Sequence, residues 1–103
     1  MGEIILVHSP LVGPTSLSPT ARTLESLGRR CLAPSPSVRA QRVLAWRDWP
    51  SALLSQIADV EAPVIVGHSM GGLLAAWLAG ALRARGMICL DAYMPPERGP
   101  SRL

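Results

Sequence analysis

The chain has 103 residues, 49% of them apolar, and a net charge of +3. That length allows one domain at most, which buries roughly 65% of its unfolded surface on folding. The ten basic residues are all arginine and are spread along the chain, so there is no basic stripe for nucleic acid; the longest apolar run, residues 73–82, is too short to span a bilayer.

Ile4–Val7 is a run of four β-favouring residues, the pattern of a strand buried on both faces of a parallel sheet. Residues 8–16, with Pro10, Gly13 and Pro14, read as a loop. Ser18 is expected to cap a helix with Pro19 at its first position; Ala21, Leu24 and Leu27 line its apolar face, Arg22 and Glu25 its polar face, and Gly28 closes it. Residues 30–33 form a short second strand, stopped by Pro34 and Pro36. Residues 35–47 are a connection rich in proline and arginine that ends near Trp46. Asp48 then caps a second helix, with Pro50 in its first turn and Leu53, Leu54, Ile57 and Ala58 as its apolar stripe.

Residues 63–67 are the third strand and residues 70–85 the third helix, apolar nearly all round and therefore central. Arg83 and Arg85 suit the negative end of its dipole, and Gly86 ends it. Residues 87–90 make a fourth strand, left through Asp91. The alternation β-α-β-α-β-α-β specifies an α/β fold, a doubly wound, mostly parallel sheet of about four strands with right-handed crossovers. Cys31 and Cys89 read as small buried hydrophobes. Trp46, Trp49, Trp77 and Tyr93 are expected to cover the sheet or enter the core.

The stretch Val64-Ile65-Val66-Gly67-His68-Ser69-Met70-Gly71-Gly72 joins the third strand to the third helix through Gly-X-Ser-X-Gly. By chance alone this pentapeptide turns up in a chain of this size with odds of roughly 3–5%; a strand before it and a helix after it are the context that gives it meaning. A tight turn of this kind strains the serine backbone, so its neighbours must be small, and Gly67 and Gly71 meet that demand. The serine hydroxyl then stands at a helix N-terminus, where developing negative charge is favoured.

On these residues the chain resembles the α/β-hydrolase superfamily. His8-Ser9-Pro10-Leu11-Val12-Gly13-Pro14 at the start and Leu90-Asp91-Ala92-Tyr93-Met94-Pro95-Pro96 near the end are similar to those of small serine esterases. The resemblance implies that the nucleophile strand lies beside the first strand, in the spatial order 30–33, 4–7, 64–67, 87–90. Cys31 and Cys89 then stand about 14 Å apart, three strand spacings, too far for a disulfide. It also implies that residues 1–96 are the N-terminal part of a hydrolase domain, complete at its start and lacking the later strands, and that residues 97–103 are a polar tail.

Serine hydrolysis needs a nucleophile, a base, an orienting acid and an oxyanion hole. By resemblance, Ser69 is the nucleophile and the backbone N–H of Met70 the first oxyanion donor. The second donor comes from the loop after the first strand. Pro10 has no N–H, so the role passes to Leu11 or Ser9. Asp91 is the candidate acid. Family members place the histidine after the acid, and no histidine follows Ser69 here. His8 is left as a substitute base or a loop organiser, and His68, beside the nucleophile, reads as a packing or hydrogen-bonding residue of the elbow.

The leading expectation is a serine hydrolase acting on a small ester or thioester. The alternatives are an inactive truncated hydrolase or interaction module without the triad histidine, and an acyltransferase that carries an acyl group on Ser69. No cofactor or metal site is expected, since HExxH, CxxC and spaced carboxylate clusters are all missing from the sequence. Neither nucleic acid nor membrane is an expected partner. Self-association or a partner chain is expected to cover the open sheet edge. With no signal-peptide pattern at residues 1–7, the expected location is cytoplasmic.

Overall fold

The computed structural model describes residues 3–9, 13–35, 48–57 and 59–91. Four strands form one parallel sheet: β1 (Ile4–Val7), β2 (Cys31–Leu32), β3 (Val64–His68) and β4 (Gly86–Leu90), in the order β2-β1-β3-β4. That is the expected order. Three helices connect them: α1 (Ser18–Ser26), α2 (Trp49–Ile57) and α3 (Gly71–Leu82). The register pairs Ile5 with Ile65 and Leu6 with Val66, so alternate residues of both central strands reach the same two faces.

One face meets α2 and α3. Ile5, Val7 and Ile65 pack there against Leu53 and Ile57 of α2 and Leu74, Ala75 and Leu78 of α3. The other face meets α1: Leu6 and Val66 pack with Leu17, and Ala21, Leu24 and Cys31 close over them. Strands covered by helices on both sides must be apolar at every position, which is why Ile4–Val7 shows no polar alternation. The cysteines lie on the two outermost strands, neither is in a disulfide, and both are partly buried rather than fully so.

Element ends depart from expectation in several places. Residues 14–17 form a 3-10 helix that runs straight into α1, so Leu17 rather than Ser18 is the cap, and Ser18 is helical. Gly13 starts that turn, its carbonyl accepting from the Ser16 N–H and hydroxyl. At the far end, α1 stops at Ser26 and Gly28 takes φ +86°. The Arg29 N–H donates to the Leu24 carbonyl and the Gly28 N–H to that of Glu25, a Schellman closure. Leu27 therefore swings out of the apolar face and is 72% exposed.

The second strand shrinks to Cys31–Leu32, the two residues that pair with Ile4 and Ile5. α3 ends at Leu82, three residues before the expected end, because Arg83 takes the left-handed conformation with φ 52° and ψ 55°. The Ala84 N–H closes that end on the Ala79 carbonyl. Arg85 does not serve the helix dipole: its backbone N–H and its Nε donate to the carbonyls of Pro63 and Ala62, tying the start of β4 to the start of β3. Gly86 opens β4 instead of ending a helix. Trp49 packs against the core as expected, whereas Trp77 is 45% exposed on the outer side of α3. Expectations for Ala58, Trp46, Tyr93, the connection at 36–47 and the tail at 97–103 lie outside the described residues. Among the described residues, no helix is long and apolar enough to cross a membrane.

Candidate active site

The C-terminal ends of β1, β3 and β4 meet at the turn after His68. Parallel strands aim their last residues, and the N-termini of the helices that follow, at one edge of the sheet. This edge is where open α/β sheets place their chemistry. Ser69 is the first residue past β3 and has φ +55°, the left-handed region that non-glycine residues rarely adopt. The Ser69 N–H still donates to the Leu90 carbonyl at 3.2 Å, extending the β3–β4 ladder by one rung. Its own carbonyl accepts from the Gly72 N–H at 3.0 Å, the first bond of the turn into α3. The chain thus reverses around Ser69 with its backbone anchored on both sides.

The two elbow glycines are required by space. A Cβ on Gly67 would lie 2.8 Å from the Cβ of Ala75 and 2.8 Å from the Cα of Gly72, so only glycine lets α3 lean onto β3. A Cβ on Gly71 would lie 2.5 Å from the Val7 carbonyl oxygen and 2.8 Å from that of His8. Gly71 therefore lets the start of α3 rest on the backbone that leaves β1. Both contacts are invisible in sequence; the motif marks the positions, and the structure supplies the reason.

Met70 sits at the start of α3 with φ −65° and ψ −17°. Among the described residues, no acceptor takes the Met70 N–H, as at any helix start, and it lies one residue beyond the nucleophile candidate. No side chain among the described residues hydrogen-bonds the Ser69 hydroxyl. Asp91 follows β4 one register step beyond the His68–Leu90 pair, which sets it next to Ser69 along the sheet edge. It is exposed and also left-handed, with φ +47°.

His8 is 3% exposed and both its ring nitrogens are engaged. Nδ1 lies 2.7 Å from the Ser9 carbonyl oxygen and Nε2 3.1 Å from Ser35 Oγ. A carbonyl can only accept, so Nδ1 carries a proton; in the neutral form of the ring Nε2 then accepts from the Ser35 hydroxyl. Trp49 stands edge-on to the ring, its centroid 6.1 Å away. This arrangement ties the ring to its own loop and to Ser35, and no hydrogen bond joins it to Ser69. Ser9 is buried, 2% exposed, while Leu11 and Pro10 lie outside the described residues. His68 is partly buried, and its Nδ1 is buried with no hydrogen-bond partner among the described residues. Sequence reasoning missed Ser35 and Gln56, which hold His8 from the far side. A serine after Ala-Pro and a glutamine on a helix face carry no signal of their own.

Comparisons with known proteins agree with this geometry. The family model described as the alpha/beta hydrolase family matches residues 4–103. Among solved structures, an extracellular α/β-hydrolase from a Paenibacillus species superposes with a TM-score of 0.80 at 18% identity, over 93% of this chain and 43% of that one. That protein is described as sharing structural and functional homology with tobacco salicylic acid binding protein 2. A polyneuridine aldehyde esterase mutant matches with a TM-score of 0.78 at 24% identity, over 95% of this chain and 43% of that one. The pyrethroid hydrolase PytH matches with a TM-score of 0.71 at 24% identity, over 94% of this chain and 43% of that one. A comparison with curated proteins finds no match. The chain spans less than half the length of the solved hydrolases it resembles, and at these identities the structural likeness speaks for the fold alone. The family match covers nearly every residue, and the strand–serine–helix turn lies within it: the chain belongs to the α/β hydrolase family.

Proposed function

We propose that the protein is a serine hydrolase of the carboxylic-ester class, acting on a small ester or thioester with Ser69 as nucleophile. The observation that carries this reading is Ser69 itself: a non-glycine residue at φ +55° between a buried strand and a buried helix. Such strain persists only where the surroundings enforce it, and it clusters at sites of chemistry. The Ser69 hydroxyl attacks the acyl carbonyl, and its proton passes to a base as the C–O bond forms. The oxyanion that develops is met by the Met70 N–H, aided by the positive end of the α3 dipole. Its collapse breaks the bond to the alcohol or thiol, which leaves with the proton the base had taken. Water then attacks the acyl-enzyme, giving its proton to the base, and the acid leaves as Ser69 takes that proton back. The solved hydrolases of similar fold include an esterase and a pyrethroid hydrolase, and these names support an ester substrate.

The base is proposed to come from outside the described residues, from further chain or from a partner. The reason is that His8 is fully engaged with Ser9 and Ser35, and no histidine follows Ser69. The same observation favours a second reading, a hydrolase scaffold without chemistry. One experiment separates the two. The folded protein, together with any further chain or partner it carries when isolated from its source, is treated with a fluorophosphonate and weighed intact beside Ser69→Ala. Stoichiometric labelling that disappears in the variant supports the hydrolase; absence of labelling in protein with native circular dichroism leaves the scaffold reading.

A further inference from the structure

A chain of side chains runs from the surface of α2 to the turn beneath the serine elbow. Gln56, exposed on α2, grips the backbone of Ser35 at both ends: the Ser35 N–H donates to Oε1 at 3.3 Å, and Nε2 donates to the Ser35 carbonyl at 3.0 Å. The amide thereby stands in for a neighbouring strand and holds the segment that leaves β2. Ser35, 2% exposed, in turn presents its hydroxyl to His8 Nε2 at 3.1 Å. His8 passes the constraint on through Nδ1–H to the Ser9 carbonyl at 2.7 Å. The last link is backbone: the His8 carbonyl lies against Gly71, two residues past Ser69.

We propose that Ser35 and Gln56 are positioning residues for the Ser69 site, acting through His8 to set the path of the backbone that leaves β1. The proposal rests on the hydrolase reading above and adds the device that holds its site in shape. The physical argument is one of tautomers. A histidine side chain in water favours the proton on Nε2, whereas this ring must hold it on Nδ1 to reach the Ser9 carbonyl. The Ser35 hydroxyl makes that choice, because it gives Nε2 a donor to accept from. Without it, Nε2 is a buried acceptor lacking a partner, and a change of tautomer would withdraw the bond to Ser9. The His8–Ser9 backbone would then lose one of the bonds that set its path past Gly71. A misplacement of about 1 Å near a reacting group costs on the order of 100-fold in rate.

The experiment joins two readouts on the intact chain. Nitrogen-15 NMR of the imidazoles reports the His8 tautomer without any need for activity, and the rate of fluorophosphonate labelling reports the Ser69 site. The expected result is an Nδ1–H tautomer at His8, lost in Ser35→Ala and kept in Ser35→Thr. Labelling is expected to slow at least about tenfold in Ser35→Ala and to recover in Ser35→Thr. Gln56→Leu, which withdraws the amide from Ser35 and leaves the buried ring untouched, is expected to slow labelling about threefold, with circular dichroism confirming that the variant folds. An Nε2–H tautomer in the unmodified protein overturns the proposal. So does labelling of Ser35→Ala or Gln56→Leu at the unmodified rate. If the unmodified protein is not labelled at all, the hydrolase reading falls and takes the positioning role with it, an outcome distinct from the other two.

Discussion

Ser69 is the residue where backbone strain and proposed chemistry coincide, and the strain can be weighed separately from the chemistry. A left-handed conformation costs a residue with a Cβ about 1 kcal/mol or more relative to glycine. Ser69→Ala keeps the Cβ and the strain; Ser69→Gly removes both. In urea unfolding, Ser69→Gly is expected to be about 1 kcal/mol more stable than Ser69→Ala, and equal stabilities would mean the turn is relaxed at this position. Gly71 gives the opposite case, because the backbone oxygens of Val7 and His8 occupy the space a Cβ needs. Gly71→Ala is expected to cost about 2–3 kcal/mol by forcing β1 and α3 apart, a loss the same unfolding curves would register. Cys31 supplies a titration. Burial, and behind it the Glu25 carboxylate, push its thiol up. A raised value means that the folded state holds the proton more tightly, so the stabilisation is complete below the unfolded thiol's pKa and is lost as pH rises through the folded one. Alkylation of Cys31 by iodoacetamide should accordingly have a pH–rate midpoint above that of the unfolded chain. Coincident midpoints would show that the folded environment does nothing to this thiol.

At the scale of elements, what could be read in advance was whatever depends on apolar pattern, and what could not was whatever depends on a single backbone angle. Ile4–Val7, the third strand and the alternation of strands with helices follow from runs of β-branched residues and from helical stripes. The strand order followed from the resemblance carried by the serine turn. The end of α3 did not follow, because Arg83 takes a left-handed conformation that glycine usually supplies, and Gly86 drew attention to the wrong position. Leu27 misled for a related reason: a 3.6-residue stripe says nothing about the turn at which a helix stops. The candidate site was legible at Gly67, Ser69 and Gly71 because a motif marks them. The Gln56–Ser35–His8 chain was not, since its members are 21 and 27 residues apart and meet only after folding. The facing of α3 is the other thing pattern could not tell, because a helix apolar on every side has no stripe. The structure turns Leu78 inward, 0% exposed, and leaves Trp77 45% exposed. Leu78→Ala is therefore expected to cost about 2–5 kcal/mol, whereas Trp77→Ala, despite removing the larger side chain, should cost well under about 2 kcal/mol. Thermal or urea denaturation of the pair decides it, and the reverse ranking would mean the helix is rotated.

Across the whole molecule, the two faces of the sheet are unequally covered. α2 and α3 lie on one face, while α1 alone lies on the other, over β1, β2 and β3. β4 is an outer strand, and register places Ile88 on the α1 side beside Val66, beyond the reach of α1. Ile88 is 51% exposed and Leu90 40% exposed as a result. Gly86–Leu90 contains no charge, no proline and no bulge, the devices by which edge strands are normally protected. The solved hydrolases of similar fold are more than twice as long as this chain. A strand edge with apolar neighbours on one face is a template for another strand, and a second copy of the chain brings an identical one. Pairing β4 with its copy, antiparallel across a two-fold axis, would bring two Ile88 and two Leu90 side chains together on the same face. Sedimentation velocity over a range of concentrations is expected to show the chain shifting toward larger species. Ile88→Lys should hold it at the smaller size, because a buried lysine at the new interface is costly while an exposed one is not. Circular dichroism should be the same for both, since Ile88 belongs to neither core cluster. If the two proteins sediment alike at every concentration, the β4 edge does not drive association, and the exposed apolar pair is tolerated as it stands.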